Sequence, residues 1–180
     1  MRSVYMQAEN MAKKHQTRNP YELLDAIGAK TILSDQYSQD GLKGFSTIIN
    51  RQMFAFINAK LDEHERMIVA GHEAAHLILH KREILQSPAC AIKDFNLYDN
   101  SGRLEYEAND FLANFLVSDK RVLESISNSE GDYFFTAKEL CIPPPLLAFK
   151  LHGMMHRGFE VRNPMNLESK FFGRKGMWQS

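Results

Sequence analysis

The chain has 180 residues, enough for one compact domain with a real core, and 44% of them are hydrophobic and 24% charged, as in an ordinary globular protein. Twenty-two basic and 22 acidic residues cancel, so no global field recruits nucleic acid or an anionic membrane. No apolar run reaches the roughly 18 residues that span a bilayer, and residues 1–19 are polar and basic without the apolar centre of a signal peptide, so a cytoplasmic protein is expected.

In chain order, residues 6–15 can form a short polar helix ahead of Asn19-Pro20, and Pro20 opens a second helix over 21–28. That helix carries Leu23, Leu24 and Ile27 on one side and stops at Gly28. Three strand-like runs follow, 29–33, 44–50 and 53–58, separated by the turn chemistry of Asp40-Gly41 and Asn50-Arg51. They predict a small three-stranded antiparallel sheet, one edge of which could accept an extended peptide as a further strand.

The central helix starts at the capping pair Asp62 and Glu65 and runs to about His80. It contains His72-Glu73-Ala74-Ala75-His76, an H-E-x-x-H. Four-residue spacing rotates the second imidazole only about 40° from the first, so both can point at one ion, and Glu73 can reach a water on that ion as general base. The flanking residues are apolar on nearly every face, which marks a buried helix. Two imidazoles and a carboxylate buried without partners cost several kcal/mol, and either a metal or a hydrogen-bonded core must satisfy them. His80, four residues after His76, either supports that site or bonds the last carbonyls of its helix.

Residues 86–100 read as a long connection that could rim a cleft. Tyr98 lies in it, placed either to stabilise an oxyanion or simply to pack. The helix over 103–117 buries Leu104, Ala108, Phe111, Leu112, Phe115 and Leu116. Glu105 lies about 60° from the centre of that face and Glu107 about 100° away on the other side, which makes Glu105 the better third metal ligand. Asn109, on the flank of Glu105, can fix the tautomer of a ligating histidine or serve as a boundary amide.

Ser118 can cap a helix over 119–127, and Thr136-Ala137-Lys138-Glu139 reads as a capping box that starts another. Pro143-Pro144-Pro145 opens a last helix to about Arg157. The last two carry too few basic residues for a DNA-reading pair, so they are expected to pack, and direct nucleic-acid binding is not expected. His152 and His156 repeat the four-residue spacing without a companion carboxylate, as a second metal pair or as boundary histidines. Cys90 and Cys141 stand outside any C-x-x-C pattern and read as buried or free thiols, not metal ligands. The organisation expected is a polar segment 1–19, one domain 20–158 whose 136–158 part is helical, and an irregular, mobile tail 159–180.

Two helical histidines, a carboxylate from a second helix and an open fourth position amount to a His₂Glu site of catalytic type for one Zn²⁺ per chain. Peptide-bond hydrolysis with Glu73 as base is the reaction that suits it.

The chain resembles the ImmA/IrrE family of metallopeptidases. The likeness is carried by His72-Glu73-Ala74-Ala75-His76 with its sequel to His80, by Ile48-Ile49-Asn50 and Phe56-Ile57-Asn58, and by Glu105-Tyr106-Glu107-Ala108-Asn109-Asp110-Phe111-Leu112-Ala113. The last run is similar to the family's E-x-x-A-N-x-F-x-A helix, whose first Glu is its third metal ligand, here Glu105. Ala74-Ala75 stand where such families usually have Leu-Gly, and Leu116-Val117-Ser118 where they have Leu-Met-Pro. The resemblance implies a mostly helical, gluzincin-like α+β fold. It also implies a cytoplasmic zinc endopeptidase that cuts a DNA-binding repressor of a mobile element, prophage or stress response. A zinc-supported scaffold that binds a partner protein without turnover is the alternative, and the intact Glu73 speaks against it.

Overall fold

The computed structural model describes residues 3–38, 40–87, 91–94, 98 and 102–162. The chain begins with α1 (Val4–His15), α2 (Pro20–Ala26), β1 (Ala29–Ser34), β2 (Gly44–Ile49), β3 (Gln52–Asn58) and α3 (Glu63–Leu79). It continues with α4 (Lys81–Gln86), β4 (Ala91–Asp94), α5 (Arg103–Leu116), α6 (Asp119–Asn128), α7 (Tyr133–Glu139) and α8 (Pro144–His156). It is mostly helical, with one small sheet.

Local chemistry sets the helix starts. Asn19 Oδ1 accepts from Tyr21 N at 2.9 Å with Pro20 at the first helical position, and Asp62 Oδ1 accepts from Glu65 N at 2.7 Å. Asp132 caps α7 through Phe135 N at 2.7 Å, so that helix starts earlier than the Thr136 box predicts. Thr136 instead donates its hydroxyl back to Asp132 O at 2.6 Å, because a carboxylate one turn upstream is already holding the free amides.

The expected three antiparallel strands are corrected to a four-stranded mixed sheet in the order β1-β3-β2-β4. β2 and β3 form an antiparallel hairpin across Asn50 and Arg51, whose φ angles of 50° and 65° give the turn sense that matches strand twist. β1 pairs with β3 in parallel, Ala29 opposite Met53 through Ser34 opposite Asn58. The 35–43 connection carries the chain past one strand position, and β3, whose Ala55 and Ile57 are fully buried, fills it with both edges bonded. β4 then pairs with the remaining edge of β2, Thr47 opposite Ala91. Its four residues look like loop in sequence, and they become strand because that edge offers unpaired backbone groups.

α3 crosses one face of the sheet and supplies Ile68, Val69, Ala70, Ala74, Ala75 and Leu77 to the main core. Each large apolar side chain buried there stabilises the fold by roughly 1.5–3 kcal/mol. Gly71 sets the spacing of the layer above. A Cβ at that position would lie 2.4 Å from Leu112 Cδ1 and 3.2 Å from Pro20 Cγ, so the missing side chain is what lets α5 and α2 close onto α3. At the far end of α5, Arg18 donates to Asn114 O at 3.0 Å and Phe115 O at 2.8 Å, and pairs with Glu9 at 2.8 Å. Those bonds satisfy helix-end carbonyls and tie the start of the chain to α5.

A second, smaller core gathers Val117, Val122, Leu147, Leu151 and Met154. It meets the first across a buried polar cluster. Lys150 Nζ, fully buried, reaches Asp119 Oδ1 at 2.7 Å and Asn114 Oδ1 at 3.0 Å, while Arg157 pairs with the same Asp119 oxygen at 2.8 Å. Burial pushes Asp119 up, but the hydrogen bond and charge of Lys150, with the charge of Arg157, together outweigh it and hold Asp119 below the usual carboxylate range. Cys141 is an exposed free thiol. Cys90 and the tail from residue 163 lie outside the described residues. No helix among the described residues is long and apolar enough to cross a membrane.

Candidate metal centre

His72 and His76 project from the middle of α3, both fully buried, and Glu105 reaches them from the first turn of α5. His72 Nε2 lies 3.1 Å from His76 Nε2 and 3.1 Å from Glu105 Oε2, and His76 Nε2 is 3.6 Å from Glu105 Oε1. The ligand atoms of the three residues all lie within 4.8 Å of one another, the one such group among the described residues. Glu105 keeps 22% of its side chain exposed, so the group is reached from solvent on the α5 side.

His72 Nδ1 faces Asn109 Oδ1 at 3.2 Å. A carbonyl oxygen only accepts, so Nδ1 carries a hydrogen, and the neutral ring then has its lone pair on Nε2. That lone pair points at a carboxylate oxygen and a second imidazole nitrogen, all electron-pair donors, and a cation between them turns the repulsion into binding. Two imidazoles and a carboxylate suit zinc.

Glu73 lies beside His72 but turns to the sheet. Ser46, at an inward position of β2 and fully buried, donates its hydroxyl to the Glu73 backbone oxygen at 3.1 Å and to its carboxylate oxygen Oε2. Gly44, two residues earlier on the same face, leaves the room: a Cβ there would lie 2.6 Å from Glu73 Oε1 and 2.6 Å from Val69 Cγ1. Sequence reasoning missed both residues, although a serine at an inward position of an apolar strand is a signal, since a buried hydroxyl needs a partner.

The structure thus brings His72, Glu73, His76, Glu105, Asn109 and His80 together. His80 sits at the break between α3 and α4, its amide bonded to His76 O at 2.8 Å, and its ring contacts both His76 and Glu107. Burial lowers its pKa against the pull of Glu107. Tyr98 packs against the main core, and its phenol is pushed up first by burial and then by the charge of Glu65. His152 and His156 bring their Nε2 atoms to 3.0 Å on α8, but no third ligating side chain joins them among the described residues.

A buried glutamate stands next to two helix-borne histidines, and a second glutamate from a facing helix completes a group that could hold a metal ion. The chain belongs to the peptidase family described as the IrrE N-terminal-like domain, whose sequence profile matches residues 26–153. It is 30% identical over 134 residues to the "Uncharacterized immunity region protein 2" of Bacillus phage phi105, a match covering 74% of this chain and 77% of that protein. No solved structure matches it.

Proposed function

We propose that this chain is a cytoplasmic, zinc-dependent endopeptidase that makes a site-specific cut in a DNA-binding transcriptional repressor. The observation that carries the reading is the convergence of His72, His76 and Glu105 within 4.8 Å beside Glu73. The peptidase family supports the reaction, and the relative's name, a phage immunity-region protein, fits a repressor-type substrate.

His72, His76 and Glu105 would hold one zinc, and zinc so bound supplies Lewis acidity to a peptide carbonyl and to water. Glu73 takes the proton of the attacking water and hands it to the leaving amine nitrogen, so one carboxylate serves as base and then acid. Ser46 fixes the orientation of that carboxylate against β2. Asn109 holds His72 in the tautomer whose Nε2 lone pair faces the site.

The test uses the full chain with a purified candidate repressor, and a proteome-derived peptide library as a second probe. Zinc should bind near one equivalent, and one peptide bond of the repressor should be cut. Glu73→Gln should keep the zinc and lose the cleavage. Cleavage that survives the substitution overturns the mechanism, and a zinc-loaded wild type that binds the repressor without cutting it establishes the scaffold reading instead.

A further inference from the structure

Glu107 was set aside as a metal ligand because of its angle on α5, yet it is not a bystander. Its Oε2 lies 3.0 Å from His80 Nε2, and His80 Nδ1 lies 2.9 Å from His76 Nδ1. Arg103, one turn earlier, donates Nη1 to both Glu107 oxygens at 2.9 and 3.1 Å and Nη2 to Glu83 on α4 at 3.2 Å. A continuous line of contacts therefore runs from the site face of α3 through its C-terminal break to α5 and α4. His80 is 1% exposed, and Glu107 keeps 19% of its side chain exposed.

Proton accounting gives the line a direction. The Glu107 carboxylate, fixed by Arg103, only accepts, so His80 Nε2 is the donor. A His76 that binds a metal through Nε2 carries its hydrogen on Nδ1, so His80, with its own hydrogen on Nε2 toward Glu107, accepts at Nδ1. The 2.9 Å contact to His76 Nδ1 requires a hydrogen, and only His76 can supply it. With its hydrogen on Nδ1, His76 presents a lone pair at Nε2, the atom that faces His72 and Glu105.

We propose that Glu107 is a positioning residue that acts through His80 to fix the tautomer and ring orientation of His76, so that zinc is met by a prepared ligand. The inference rests on the metal-site reading above. Its counterpart on the other histidine is the single amide of Asn109; here two residues are needed because the carboxylate stands one imidazole further away. The arrangement also explains why Arg103, which touches none of the ligands, bears on the site: it pins the carboxylate that pins His80.

The test measures zinc affinity of the full chain by competition with a chromophoric chelator, together with imidazole ¹⁵N shifts of the metal-free protein. Glu107→Ala and His80→Ala should each weaken zinc binding about 10- to 100-fold. The double variant should be no weaker than the worse single variant, because both substitutions break one line. Glu107→Gln, whose amide oxygen still accepts from His80, should recover most of the affinity and serves if the alanine variant fails to fold. The ¹⁵N shifts should show His76 as the Nδ1–H tautomer in the wild type and a tautomer mixture in Glu107→Ala. Wild-type affinity in Glu107→Ala overturns the inference, and so does a loss of about 10-fold or more in Glu107→Gln. So do losses that multiply in the double variant, which would mean that Glu107 acts by charge alone. The underlying reading fails separately, if the wild type takes up no zinc or if Glu105→Ala binds it unchanged.

Discussion

Gly44→Ala is the substitution in which the structure separates catalysis most sharply from metal binding. The added methyl would stand 2.6 Å from Glu73 Oε1, 2.6 Å from Val69 Cγ1 and 3.0 Å from the carbonyl oxygen of Phe56. These separations fall up to about an ångström inside ordinary van der Waals contact. β2 has little freedom to recede, since β3 and β4 pair with it on both sides, and Val69 is fully buried in the core. The cheapest relief is a swing of the Glu73 carboxylate away from Ser46. Overpacking of this kind costs about 1–3 kcal/mol of stability, and a misplacement of about 1 Å in a reacting group costs on the order of 100-fold in rate. Urea unfolding should therefore show a modest loss, repressor cleavage should show a kcat lower by about two decades, and zinc affinity should stay at the wild-type value because none of the three atoms nearest the methyl belongs to His72, His76 or Glu105. Wild-type kcat in Gly44→Ala would refute the claim that β2 fixes the base. Loss of zinc would refute the confinement of the crowding to Glu73.

Two further outcomes concern the buried charges behind the site. Lys150→Met should lower stability in urea by about 3 kcal/mol, the low end for breaking a buried pair because Arg157 still holds Asp119; a loss below about 1 kcal/mol would mean that this cluster does not tie the two cores together. Asp110, partly buried beside Asn114, is raised to about 6 from 3.8, chiefly by desolvation and against the pull of Arg157 and Lys150. The folded state then binds the proton more tightly than the unfolded state, so stability is gained as pH falls from about 6 toward 4, and the penalty of the charged form is fully present above about 6. Asp110→Asn should accordingly be the more stable protein at pH 7.5, by on the order of 2 kcal/mol, and should lose that lead on acidification through the same window. Parallel pH profiles for the two proteins would sink the argument.

The helix-level features were legible in the sequence because they depend on neighbours along the chain. Asp62, Asn19 and Ser118 cap the helices they precede, since a side-chain oxygen placed there meets free amides within three residues. The Thr136 box failed on the same principle, because Asp132 competes for the same helix start and wins. The sheet was less legible. A strand of alternating apolar residues fits equally well beside either neighbour, and nothing local says that β1 skips β2 to lie parallel to β3, or that residues 91–94 add a fourth strand.

At the site the division follows the same line. By itself the sequence determined the pairing of His72 with His76, the place of Glu73 beside them and the flank of α5 on which Glu105 stands, because helix pitch converts spacing into direction. Only the tertiary structure decided that Gly71 lets α5 approach closely enough for Glu105 to reach the histidines, that Gly44 and Ser46 form the seat of Glu73, and that Glu107 serves His76 through His80. Apart from the link between His76 and His80, those contacts join residues 27 or more positions apart in sequence. Their geometry is set by how helices and sheet pack, which no periodicity within a single element records.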